Sequence, residues 1–81
     1  MHWTERRQKY RAVLAGSRCL HPGSVFDPLS ARIAAEAGDE IGLFAGSTAA
    51  LTVLGAPDIV VLTLSEFAEQ AYRINRAGTL P

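Results

Sequence analysis

Several things are scarce in this chain, and each scarcity closes a class of explanation. Cysteine occurs once in 81 residues, at Cys19. A lone cysteine forms no internal disulfide and has no C-x-x-C partner for a metal or redox site. It is expected to be a small buried hydrophobe. There is no basic run: eight Lys and Arg are balanced by eight Asp and Glu, a formal net charge of zero. That balance argues against a nucleic-acid surface or a polybasic membrane patch. No apolar run approaches the roughly 20 residues that cross a bilayer. Met1 to Arg7 lead into a charged amphipathic segment rather than an apolar core, so no signal peptide is expected and a cytoplasmic location is the default. Internal repeats and low-complexity segments are also missing.

What is there belongs to a folded protein. Apolar residues make up 48% and charged residues 20%, a globular composition rather than a disordered one. Thr4 to Ala15 is expected to be helical, with Tyr10, Val13 and Leu14 recurring at helical spacing and Arg6, Arg7, Lys9 and Arg11 forming a solvated face. Arg18 to Phe26 reads as a first strand, with a bend or split at His21-Pro22-Gly23. Asp27-Pro28 is a helix start, a capping carboxylate followed by proline at the first helical position. Leu29, Ile33, Ala34 and Ala37 share one face of that helix, and Gly38 ends it. Residues 41–45 form a second, buried strand. A third helix spans Thr48 to Leu54 and breaks at Gly55-Ala56-Pro57-Asp58. Ile59 to Leu62 is strand or extended connection, and periodicity does not choose between them. Thr63-Leu64-Ser65-Glu66 has the form of a capping box. The helix after it carries Phe67, Ala71 and Ile74 on one face, a Glu69–Arg73 pair at i,i+4, and Gly78 at its end. Helix, strand, helix, strand, helix is an α/β order with a parallel sheet. Two strands do not cover both faces and both edges of such a sheet, so the chain reads as the opening of a larger α/β fold.

The element with chemical promise is Ile41-Gly42-Leu43-Phe44-Ala45-Gly46-Ser47. A buried strand runs into a Gly-Ser corner, with Gly46 allowing a turn that a side chain would obstruct and Ser47 capping the next helix. Backbone N–H groups at a helix start suit an anion such as a carboxylate, and ligands of α/β proteins gather at the C-terminal ends of strands. A plain turn and cap is the competing reading of the same residues. By its local pattern Asp58 after Pro57 is a turn residue, and Asp27 a cap. His21 beside Pro-Gly is structural or exposed, while Glu66 and Glu69 are explained by capping and pairing.

Three segments in order resemble the phosphoenolpyruvate mutase/isocitrate lyase superfamily. They are Ser24-Val25-Phe26-Asp27-Pro28-Leu29-Ser30-Ala31-Arg32-Ile33-Ala34, then Ala45-Gly46-Ser47, then Ala56-Pro57-Asp58 with Leu62-Thr63-Leu64-Ser65-Glu66. The wording of residues 63–70 is most similar to the oxaloacetate decarboxylase branch. The resemblance implies the N-terminal part of a (β/α)8 TIM barrel: an N-terminal helix 4–15, a first βα unit 18–38 and a second βα unit 40–78. It also implies a Mg²⁺-dependent lyase acting on an α-keto acid such as oxaloacetate, in a protein whose full-length relatives are homo-oligomeric. By the same resemblance Gly46 and Ser47 hold the substrate carboxylate, and Asp58 lies in the outer shell of the metal. The family's direct metal aspartate belongs to an Asp-x-Asp-x-Gly-Tyr-Gly run following Leu-Pro, and this sequence ends at Leu80-Pro81. No catalytic residue is therefore assigned within the chain. Asp39 departs from the family pattern, standing where an aromatic is usual. The alternative to an enzyme segment is an inactive truncated remnant or a small interaction module.

Overall fold

The computed structural model describes residues 3–58 and 62–81. Their order is α1 (Trp3–Ala15), β1 (Gly23–Ser24), α2 (Pro28–Glu36), β2 (Gly42–Leu43), α3 (Gly46–Ala49) continuing as a π-helical turn (Ala50–Leu54), and α4 (Leu64–Ala77). The two strands pair in parallel, Gly23 opposite Gly42 and Ser24 opposite Leu43. This is a small mixed α/β unit, as the α/β order requires.

Both strands are shorter than the sequence suggests. The expected strand 18–26 narrows to Gly23–Ser24, and 41–45 to Gly42–Leu43. Pro22 supplies no N–H to a ladder, so regular pairing in β1 begins only after it. Bonds from Gly23 N–H to Ile41 O and from Val25 N–H to Leu43 O extend the contact slightly at both ends. Gly42 N–H points the other way and donates to Pro81 O at 2.9 Å. Residues 80–81 thus sit where a third strand would lie, on the edge of β2 opposite β1.

The core is built on one side of this sheet. Val25, Ala31, Ala34 and Ile74 are buried together, with Phe44 and Leu80 packed against them. The helix α2 lies on α4, and small residues let the two approach: a side-chain carbon at Gly78 would stand 3.4 Å from Ala31 Cβ and 3.2 Å from Ile74 O. The inner face of α2 is therefore Ala31 and Ala34, not the expected Leu29–Ile33–Ala34–Ala37 stripe. Leu29 is 66% and Ile33 56% exposed, and Ala37 is exposed as well. Alanines win the contact because a close helix pair has no room for leucine.

The helix ends form as their local sequences dictate. Asp27 accepts from Ser30 N–H at 2.7 Å while Ser30 Oγ accepts from Asp27 N–H, a reciprocal box with Pro28 at the first helical position. Thr63 and Glu66 make the same exchange at α4. Gly38, at φ 101°, ends α2 in a conformation that favours glycine. The Glu69–Arg73 pair forms at 2.6 Å on the surface.

The helix expected over residues 4–15 forms as α1; none of its residues is buried, and Tyr10 and Leu14 are exposed. Two other residues, Arg6 and Cys19, depart from expectation. Arg6 leaves the solvated face: it donates to Asn75 Oδ1 at 3.2 Å and to Gly78 O, tying α1 to the end of α4. Burial lowers the pKa of its guanidinium from the ordinary value. Cys19 is exposed, because the segment before Gly23 runs over the surface instead of entering the sheet. The run 59–62 lies outside the described residues apart from Leu62.

Candidate functional site

The corner forms where the sequence places it, with a different internal arrangement. Past Leu43 the chain runs through Phe44 and Ala45 into α3, whose first residue is Gly46. Helix starts two residues earlier than the expected Thr48. Ala45 is the N-cap and Ser47 lies inside the first turn. Ser47 is therefore not a cap, and its hydroxyl is free of the role that the competing reading gave it. Ala45 contributes no side-chain bond to the helix start. The earliest backbone donor of this helix with a helical acceptor is Ala49 N–H, bonded to Ala45 O at 2.9 Å. The N–H groups of Gly46, Ser47 and Thr48 find no carbonyl among the described residues. The starts of α2 and α4 use full capping boxes, whereas the start of α3 has no side-chain cap among the described residues.

Gly46 itself needs a correction. Its φ is not positive, and a side-chain carbon there would meet nothing within 4 Å. A side chain would not obstruct the turn. What surrounds this position is open space, on the same first turn as the unbonded N–H groups.

Two contacts hold the corner from behind. Phe44 stacks on Phe67 with ring centroids 4.8 Å apart and planes 13° apart, fixing the end of β2 to the first turns of α4. Gln70 Nε2 donates to Phe26 O at 3.0 Å, fixing the end of β1 to the same helix. Neither pairing was read from the sequence. The Phe44 signal was present as one apolar residue in a run, but its partner lies 23 positions on and no periodicity links the two.

Asp58 is exposed and follows Pro57 in the turn after the π-helical segment. No hydrogen bond joins it to Gly46 or Ser47 among the described residues. Gly46 and Ser47 are thus brought together by the helix start, and Asp58 is not brought to them by any bonded contact. No group of three or more His, Cys, Asp or Glu side chains is placed to hold a metal ion among the described residues. One exposed carboxylate does not fit Mg²⁺, which takes near-octahedral oxygen coordination. The residues present are not a magnesium site by themselves.

Among the described residues two clefts lie elsewhere. One of about 440 Å³ is lined by Trp3, Arg6, Arg7, Tyr10, Arg11 and Asn75, together with Pro81. Another of about 380 Å³ lies by Val13, Ser17, Arg18, Leu20 and Glu40, where Arg18 and Glu40 pair at 2.5 Å in solvent. That pairing raises the pKa of the Arg18 guanidinium, first through its hydrogen bond to Glu40. Neither cleft includes Gly46, Ser47 or Asp58. Among the described residues, no helix is long and apolar enough to cross a membrane.

Comparison with known proteins gives a consistent set of relatives. The chain is 56% identical over all 81 residues to a protein of Rhodopseudomonas palustris strain BisB18 named oxaloacetate decarboxylase, covering 28% of it. It is 58% identical over 77 residues to the oxaloacetate decarboxylase of Ectopseudomonas mendocina strain ymp, 95% of this chain and 27% of the relative. It is 59% identical over 75 residues to oxaloacetate decarboxylase 1 of Pseudomonas fluorescens strain Pf0-1, 93% of this chain and 26% of the relative. The chain therefore spans just over a quarter of the length of the curated relatives it matches, and that quarter is N-terminal. No protein-family model matches it.

Proposed function

We propose that this chain is the opening segment of an oxaloacetate decarboxylase-like lyase, in which Gly46 and Ser47 hold the carboxylate of an α-keto acid. The observation that carries the reading is identity above one half across the whole chain to proteins of that name. The geometry of the corner supports it. Three N–H groups at a helix start, a hydroxyl and an open space stand together past the end of a parallel strand. In this reading β1 and β2 are the first strands of a (β/α)8 barrel, and the active face is the one past their C-terminal ends.

The chemistry then divides cleanly between what these residues do and what they do not. Decarboxylation of oxaloacetate breaks the bond to the departing carboxylate, and its electron pair passes into the keto group, leaving the enolate of pyruvate. The corner's part is to bind the retained carboxylate by N–H groups and the Ser47 hydroxyl. Held there, the substrate has its breaking bond in a fixed orientation. No step through a metal is assigned to these residues, because Asp58 alone does not fit one; Mg²⁺ belongs to the reading as a need of the full-length enzyme. The same division explains why the segment carries a binding corner and no catalytic residue.

The test is a graft. These 81 residues replace the matching N-terminal segment of the Rhodopseudomonas palustris relative, and pyruvate release from oxaloacetate is followed with Mg²⁺. The reading expects turnover above the metal-only background. A folded graft that turns over no oxaloacetate, beside an active parent, contradicts it.

A further inference from the structure

Helix α4 divides into two parts that touch different things. Its later turns belong to the core, where Ile74 is buried with Val25, Ala31 and Ala34. Its first turns reach the strand ends instead. Phe67 stacks on Phe44, one residue past β2. Gln70 Nε2 donates to Phe26 O at 3.0 Å, two residues past β1. Phe67 and Gln70 are three apart and so share one helix face. One face of one helix therefore ties both parallel strands at their C-terminal ends, the end where α/β proteins place their ligands.

The strands do not supply that tie themselves. The ladder pairs Gly23 with Gly42 and Ser24 with Leu43, and its last bond runs from Val25 N–H to Leu43 O. Past it, no backbone hydrogen bond joins the two strand ends among the described residues. Phe44 and Ala45 thus leave the sheet with α4 as their support. Ala45 is the N-cap of α3, so the aim of the first-turn N–H groups follows from where Phe44 is held. The start of α4 is itself fixed by the Thr63–Glu66 box, with Glu66 directly before Phe67. Phe67 and Gln70 are half-buried, whereas Gly46 and Ser47 are exposed.

We infer that Phe67 and Gln70 are positioning residues for the keto-acid carboxylate: from α4 they fix the ends of β1 and β2 against each other, and with them the aim of the Gly46–Ser47 corner. This deepens the proposed binding role of that corner and rests on it for the ligand, but not for the clamp. Neither side chain touches the substrate. Phe67 acts through Phe44, and Gln70 through Phe26 O. The Gln70 bond lies at the surface, where water replaces a lost partner at small cost, so Phe67 carries the larger share.

The experiment uses the graft in the Rhodopseudomonas palustris relative and compares it with its Phe67→Leu, Phe67→Tyr, Gln70→Leu and Ile74→Val variants. Ile74→Val weakens the core of the same helix without touching either tie. The readouts are kcat and KM for oxaloacetate with Mg²⁺, the urea midpoint, and hydrogen exchange of residues 44–52 with and without pyruvate, which keeps the carboxylate. Phe67→Leu should raise KM about five- to tenfold, the scale of one aromatic pair, with kcat little changed because the carboxylate is held alike before and during reaction. Phe67→Tyr keeps the ring and should restore the KM of the graft. Gln70→Leu should raise KM by about twofold. The amides of Ala49 and Ala50 bond back to Ala45 and Gly46, so their exchange should quicken in Phe67→Leu and not in Ile74→Val. A Phe67→Leu graft that loses only urea resistance, with KM and exchange at 44–52 unmoved, overturns the inference. So does an equal rise of KM in Ile74→Val, since general loosening would explain both. An idle graft whose residues 44–52 are protected by pyruvate in a Phe67-dependent way supports the clamp and counts against the lyase reading; an active graft indifferent to Phe67 does the reverse. An idle graft that pyruvate does not protect contradicts both.

Discussion

Gly46 opens α3 and Gly23 opens β1, and their surroundings give opposite expectations for the same substitution. Around Gly46 there is nothing within 4 Å of an added side-chain carbon, and its φ is not positive. Gly46→Ala should therefore leave the isolated chain as stable as before, or up to about 1 kcal/mol more stable through the unfolded state. In the graft it should weaken oxaloacetate use, since a methyl group there crowds the open space on the turn that carries the N–H groups. At Gly23 an added carbon would collide with the Asp39 carboxylate and press on Ala34 Cβ. Gly23→Ala should cost about 1–3 kcal/mol, and adding Asp39→Ala should recover much of it, read as a coupling in urea unfolding. Ser47→Ala in the graft should lower kcat/KM by an amount equivalent to about 1–3 kcal/mol, the size of one hydrogen bond to a charged group. An unchanged kcat/KM would make the hydroxyl a bystander. Gly46 and Ser47 were legible as a corner because the apolar run and the Gly-Ser pair are adjacent. The reason for Gly46 was not legible, since open space is a property of what surrounds a residue. Arg6 was misread for the same cause: four cations on one helix look alike until Gly78 O and Asn75 are in reach of one of them.

At the scale of elements, the helices were readable and the strands much less so. Capping is a contract between residues three apart, so Asp27–Ser30 and Thr63–Glu66 carry their own instructions. Removing either cap, by Asp27→Ala or Thr63→Ala, should cost about 1 kcal/mol, seen as a lower urea midpoint with an unchanged slope. Strand length depends on the neighbour that accepts the bonds. The stretch 18–26 has strand-like residues on both sides of Pro22, but only Gly23 to Val25 find a partner in β2. The start of α3 moved for a related reason. With no side chain needed as a cap, the helix extends back through Ser47 and Gly46 until Ala45 turns extended. The inner face of α2 was also set from outside, by the closeness of α4, which selects Ala31 and Ala34 over Leu29 and Ile33.

At the scale of the whole molecule, the chain is less compact than its length allows. The Cα radius of gyration is 13.1 Å, against about 12 Å for a compact domain of this length. Among the described residues the buried core is two alanines, a valine and an isoleucine, with Ala49 and Ala50 buried apart from it, and no large side chain is fully enclosed. A (β/α)8 barrel takes about 250 residues to close, so on the proposed reading the 81-residue chain holds one binding corner and not a whole site. Its carboxylates agree with that division. Glu40 pairs with Arg18, Glu69 with Arg73, and Asp27 and Glu66 cap helices. Asp39 sits against Gly23, and Asp58 is exposed in its turn. The most direct measurement is pyruvate formation by the isolated 81-residue chain given oxaloacetate and Mg²⁺, set against the metal without protein. The account predicts no rate above that background. Turnover by the chain alone that disappears with Asp58→Ala would contradict it, because a complete site would then exist within these residues.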